Sequence, residues 1–224
     1  MNSAAAGRRN GEPLQGLLVV ISGPSGAGKG TLCQKLLERF PRMGFAVSAT
    51  TRKPRAGEVD SRHYYFLDEE EFKRKIEAGE FLEWARVYGN YYGTPRREVE
   101  ERLQAGQDVL LDIDAQGALQ VRGRYPDGVF LFVMAPSLED LERRLRQRGT
   151  DSDETIQYRL REAVQQIEYI GNYDYLVINS DLQEAVETIA SIVVAEKCRI
   201  RRQDLSWLWR LTKNRPSRKK SKSM

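Results

Sequence analysis

A glycine-rich run, Gly23-Pro24-Ser25-Gly26-Ala27-Gly28-Lys29, directly follows the apolar segment Leu17 to Ile21 and precedes Leu32, Leu36 and Leu37. Glycines let consecutive backbone N–H groups turn inward on phosphate oxygens, the start of a helix adds partial positive charge, and a lysine gives the β and γ phosphates a mobile cation. The chemistry implied is nucleoside triphosphate binding by Gly23, Pro24, Ser25, Gly26, Ala27, Gly28, Lys29, Gly30 and Thr31. The residue after Lys29 is Gly30, and the hydroxyl comes one place later at Thr31. Magnesium ligation by Thr31 is therefore left open. A second acid, Asp112, ends the apolar run Val109 to Leu111, where open α/β sheets place their ligands. It reads as a magnesium ligand, acting through water, or as a cap of the next helix; Asp114 is the better cap candidate.

A second constellation lies in Ser48-Ala-Thr-Thr-Arg52-Lys-Pro-Arg55, where two arginines three residues apart share a loop stiffened by Pro54. Such a fork suits a monophosphate, because guanidinium groups bind phosphate bidentately and stay charged, and Tyr64 and Tyr92 can add neutral O–H donors. Glu83, in an aromatic segment, reads from residue type alone equally well as a surface acid. Arg143, Arg144, Arg146, Arg148 and Arg159 form a dense cationic stretch that is, by composition, mostly solvated charge.

These residues need a frame. Leu17 to Ile21, Val109 to Leu111, Val129 to Val133 and Tyr175 to Ile178 are short apolar runs of the kind buried on both faces of a parallel sheet, separated by helical patterns such as Leu138, Leu141, Leu145. The alternation predicts an α/β fold. Asp68 with Glu71, Ser137 with Asp140, and Ser180 with Gln183 are spaced as helix caps. Phe45 to Tyr92 breaks the rhythm with short aromatic and β-branched segments, with only Asp68 to Ala78 helical, and predicts a small mixed lobe inserted into the sheet domain.

Composition excludes several classes. The chain has 224 residues, 40% hydrophobic and 30% charged, with no apolar run near the length of a bilayer span. Cys33, Cys198 and a lone His63 do not provide a disulfide framework or a zinc site. The start of the chain has no signal-peptide pattern, so a cytoplasmic protein is expected. Residues 197–224 hold eleven Lys or Arg and one acid, a net +10, while the preceding 196 residues hold 25 basic and 31 acidic side chains, a net −6. Nothing in the body points to specific nucleic-acid binding.

The segments GPSGAGKGT, SATTRKPRAGEVD, FLEW, GNYYGTP, LLDIDAQG and APSLEDLERRLRQRGTDSDETIQYRL stand in an order that resembles the guanylate kinases, from about Leu17 to Lys197. The resemblance implies a P-loop kinase with a parallel β-sheet core flanked by helices, an inserted mixed α/β GMP-binding lobe and a helical lid. It also implies phosphorylation of GMP, and of dGMP, by ATP with magnesium through direct in-line transfer. Ser48, Glu83 and Thr94 match the guanine-reading positions, and Arg52, Arg55, Tyr64 and Tyr92 those that hold the GMP phosphate. Arg148 and Arg159 match the lid arginines that join Lys29 as catalytic residues. Guanine offers adjacent N1–H and N2–H donors to one carboxylate, whereas adenine presents an acceptor at N1. Two rivals are a catalytically inactive guanylate-kinase-like binding module and a kinase of a ribose phosphate.

The expected division is an N-terminal extension (1–16), core with phosphate loop (17–47), GMP-binding lobe (48–95), core (96–136), lid region (137–168), core (169–198) and basic tail (199–224). In the tail, Leu205, Trp207, Leu208, Trp209 and Leu211 are expected to dock back on the core, ahead of a Lys/Ser end with nothing to bury. No stable membrane association is expected, and the chain is expected to be a monomer or homodimer.

Overall fold

The computed structural model describes residues 15–213, except 56, 88, 148 and 150. The chain opens with β1 (Leu18–Ser22), passes through the glycine loop into α1 (Lys29–Arg39), and returns as β2 (Gly44–Phe45). It then forms β3 (Ala49–Thr50), β4 (Tyr65–Phe66), α2 (Glu69–Glu77), β5 (Phe81–Val87) and β6 (Asn90–Pro95). Next come α3 (Arg96–Gln104), β7 (Val109–Asp112), α4 (Ala115–Arg124) and β8 (Val129–Met134). The remaining elements are α5 (Leu138–Gln147), α6 (Asp153–Ile167), β9 (Tyr175–Ile178), α7 (Leu182–Lys197) and α8 (Ser206–Lys213).

β2, β7, β1, β8 and β9 lie side by side in that order, all parallel. Successive residues of β1 feed opposite faces, as the two-residue period of a strand requires. Val19 and Ile21 join Leu32, Leu36 and Ile189 from α1 and α7, whereas Leu18 and Val20 join Val99, Leu103 and Val121 from α3 and α4. The fold is thus α/β, a parallel sheet with helices on both faces. All five residues of β1 are buried, which explains why its sequence is an unbroken apolar run instead of an alternating one.

A second sheet, in the order β4-β3-β6-β5, has its own small core of Ala49, Phe72 and Phe81. Phe72 stacks on Phe81 at 4.4 Å and on Tyr91 at 5.4 Å between ring centroids. The register of β5 against β6 shifts between Phe81 and Glu83, so Phe81 packs in the small core and Leu82 in the main one. The Arg124 guanidinium donates to the carbonyls of Phe81 and Leu82, and Gln120 accepts from the Trp84 amide and donates to its carbonyl. α4 therefore grips the first half of β5, from Phe81 to Trp84.

Three expectations need correction. Phe45 belongs to the main sheet, pairing with Leu110, so the second sheet starts after it. α7 is capped by Asp181, which accepts from the Glu184 amide, one residue later than the Ser180 spacing suggested. Of the tail residues expected to dock, Trp207, Leu208 and Leu211 do not, being 54%, 42% and 63% exposed; Leu205 is half-buried, the Trp209 side chain lies outside the described ones, and α8 contributes no described residue to any hydrophobic core. The chain leaves α7 through a turn held by Arg202, which bonds the Asp127 carbonyl and Glu196, and these polar anchors set the course of the chain. The expected Lys/Ser end, residues 216–224, and most of the N-terminal extension lie outside the described residues.

Candidate active site

The glycine loop takes its shape from its own backbone and one buried amide. Gly28 caps α1 at φ 92°, a left-handed conformation that suits glycine, and a side chain there would meet Asn179 Nδ2 at 2.4 Å. Asn179 lies just past the end of β9, buried, and donates to the Ala27 carbonyl at 2.8 Å, while its own carbonyl accepts from Arg144 at 2.7 Å. The Lys29 ammonium folds back to the carbonyls of Gly23 and Pro24 at 2.7 and 3.3 Å. A donor-lined loop thus stands at the carboxyl end of β1, with the lysine at its mouth.

Facing the loop is a cavity of about 330 Å³ lined by Gly23, Ser25, Gly26, Gly28, Lys29 and Gly30 on one side and by Ser48, Arg55, Tyr64, Glu83 and Tyr92 on the other. Asp112, Asp114, Arg159 and Gln166 add further polar groups to the wall, and Ala85, Val87 and Ile113 its apolar part. A larger cavity of about 600 Å³ lies at the opposite, amino-terminal end of the strands. Of its cations, Lys197, Arg201 and Arg202 are tied to Asp108, Asp127 and Glu196, and Arg124 to the carbonyls of Phe81 and Leu82. The smaller cavity has the convergent charge, at the strand ends where this class of sheet binds ligands.

Glu83 is the most perturbed group in it. Its side chain is buried, Thr94 Oγ1 donates to Oε1 at 2.6 Å, and burial pushes its pKa up to about 7. Asp114 adds to the shift by its charge while capping α4 through the Gly117 amide at 2.8 Å. The residue at 117 must be small: a Cβ there would lie 2.2 Å from Glu83 Oε2. Tyr64 and Tyr92 sit edge to face at 6.0 Å, and burial raises the Tyr64 phenol to about 12, so it stays a proton donor. Arg52 is held bidentately by Glu58 at 2.8 and 2.9 Å, a hydrogen bond that lowers the pKa of that carboxylate, and its guanidinium lies 5.4 Å from the Tyr64 ring centroid.

From α6, buried Arg159 donates to Ser25 Oγ and to Asp151, both at 2.9 Å, bridging the helical region to the glycine loop. Arg143, Arg144 and Arg146 instead engage Asp140, the Asn179 carbonyl, and Glu142 with Asp153. Arg148 lies outside the described residues.

The guanylate kinase family model matches residues 15–196. The chain belongs to the guanylate kinase family. The Desulfitobacterium hafniense guanylate kinase is 55% identical over 192 residues, covering 86% of this chain and 96% of that one. The guanylate kinase of Caldanaerobacter subterraneus is 54% identical, covering 85% and 93%. Among solved structures, the guanylate kinase from Anaplasma phagocytophilum superposes with a TM-score of 0.75 at 37% identity, covering 90% of this chain and 95% of that one.

Against this family frame, Ser48, Arg55, Tyr64, Glu83, Tyr92, Asp112, Lys29 and Arg159 share one cavity. Thr94 is fully buried behind Glu83, Ala27 is buried beneath the loop, and Thr31 is exposed on the first turn of α1. Pro24, Ala27, Thr31 and Arg52 are not in the cavity wall. Sequence reasoning missed Asn179, Glu58, Gly117 and Asp151. Glu58 left a local sign, an acid three residues after Arg55; Asp151 acts across 8 positions, Gly117 across 34 and Asn179 across 152.

Proposed function

We propose that this cavity is the reaction site of an ATP:GMP phosphotransferase: the chain, a guanylate kinase by family, transfers the γ-phosphoryl group of ATP to GMP or dGMP, directly and in line. Glu83, buried opposite the phosphate loop with Thr94 behind it, is the observation that carries the reading. An ionised carboxylate there accepts guanine N1–H and N2–H together, with Ser48 and Thr94 completing the base contacts. Arg52, Arg55, Tyr64 and Tyr92 hold the GMP phosphate as nucleophile. Gly23 to Thr31 bind the ATP phosphates, and Lys29, Arg148 and Arg159 meet the charge that spreads over the transferring group. No general base is required, since the attacking phosphate oxygen is already anionic.

Magnesium fits this donor set. A magnesium ion carried mainly by nucleotide oxygens and waters needs one carboxylate from the protein, and Asp112 in the cavity wall supplies one. Asp112 would hold it through water and Thr31 is the second candidate; when bound, the ion neutralises phosphate charge. Closure of the α5–α6 region over both nucleotides excludes water and limits ATP hydrolysis. We place the reaction in the cytoplasm, by a monomer or homodimer.

ADP release measured with GMP, dGMP, AMP and ribose 5-phosphate tests the reading. GMP and dGMP are expected to lead AMP by orders of magnitude, and equal rates with ribose 5-phosphate would overturn the base-reading assignment. Lys29→Met is expected to lower turnover far more than GMP affinity.

A further inference from the structure

α8 presents an apolar face that nothing described covers. Trp207, Leu208 and Leu211 are 54%, 42% and 63% exposed. At positions i, i+1 and i+4 they fall within about 100° of one another around the helix, and Arg210 flanks that sector. Ile200, 74% exposed in the preceding turn, adds apolar surface close by in the chain. Residues 214–224 then supply Arg215, Arg218, Lys219, Lys220 and Lys222 and no acid.

A surface that satisfies both features must offer negative charge beside an apolar phase. A nucleic acid provides phosphates but leaves Leu208 and Leu211 in water. An anionic bilayer provides both, with tryptophan favoured at the boundary between head groups and acyl chains. We propose that α8 and the cations after it form a reversible peripheral anchor for membranes rich in anionic lipid. One short apolar face is too weak by itself, and a polybasic stretch is the second signal that stable interfacial binding requires. The anchor also leaves the reaction site free. Arg201 pairs with Asp127, at the turn before β8 and at the amino-terminal end of the sheet, so the chain departs toward α8 from the end opposite the phosphate loop.

Co-sedimentation of the full chain with phosphatidylcholine vesicles, with and without phosphatidylglycerol, at low and high salt, tests the proposal. Binding at least about tenfold tighter to the anionic vesicles, lost at high salt, is expected. The triple variant Trp207→Ser, Leu208→Ser, Leu211→Ser is expected to lose that binding while keeping the parent's kinase turnover, which shows that it folds. Equal binding to both vesicle types, or full binding by the triple variant, overturns the anchor. So does lipid-free self-association that the triple variant abolishes, which would make the face a contact between copies. Tighter binding to polyuridylate than to anionic vesicles, also abolished in the triple variant, would replace lipid with RNA.

Discussion

At the scale of single residues, Glu83 links acidity to recognition. Its carboxyl is held near 7 by burial, against an ordinary value of 4.5. Binding guanine in the proposed mode requires the ionised form, so kcat/KM for GMP should rise from pH 6 to pH 8, and calorimetry at pH 6 should show a proton released on GMP binding. The stability effect has the opposite sense. Between about 4.5 and about 7 the folded chain keeps a proton that the unfolded chain has lost, so this group's contribution to stability falls as pH rises through that window. Glu83→Gln should therefore raise the melting temperature relative to the parent at pH 8, with the gap shrinking toward pH 5. The same variant should cut the preference for GMP over AMP by about tenfold or more, since an amide can donate to adenine N1 and cannot accept both guanine donors. Gly117→Ala makes a separate demand. It should favour helix by up to about 1 kcal/mol, yet it places a methyl against Glu83 Oε2, so KM for GMP should rise about tenfold with ATP affinity unchanged. An unchanged KM would show that the carboxylate is not where recognition happens.

At the scale of elements, the phosphate loop depends on the end of β9. Asn179→Ala strips the Ala27 carbonyl of its buried donor, a loss of about 1–3 kcal/mol. It should also weaken ATP binding more than GMP binding, measured by titrating each nucleotide alone. Equal weakening of both would mean a general loosening of the sheet. Such dependence was not readable in advance, because Ala27 and Asn179 are 152 positions apart and only the fold joins them. What was readable had local causes. The apolar run of β1 follows from burial on both faces, and the caps at Asp68 and Ser137 follow from side chains that reach amides three residues on. Family motifs extended that reach to Glu83, whose residue type alone suggested a surface acid. They did not reach Glu58, which positions Arg52, or Asp151, which holds Arg159, because each works by orienting another side chain. The tail was misread for a related reason: tryptophans and leucines record a wish to leave water and say nothing of where they go.

For the molecule as a whole, the boundary of the catalytic body lies within the turn after α7. Buried Glu196 is held by Tyr175, Arg199 and Arg202, so deleting residues 199–224 removes both of its cations and should cost about 3–5 kcal/mol. Deleting 205–224 spares them and should leave denaturant midpoints and turnover near those of the parent; a large loss of turnover there would place the tail at the reaction site. The grip of α4 on β5 bears on how the two halves of the acceptor site move. Glu83 stands on the strand that Arg124 and Gln120 fasten to the main body, while Arg52, Arg55 and Tyr64 stand in the loop between β3 and β4. Any swing of the smaller sheet therefore pivots near the carboxylate and sweeps the cationic loop through the wider arc. In the proposed function the base is inspected beside the pivot and the phosphate is gripped at the rim, so the loop that carries the arginines is the part that has to travel when GMP binds.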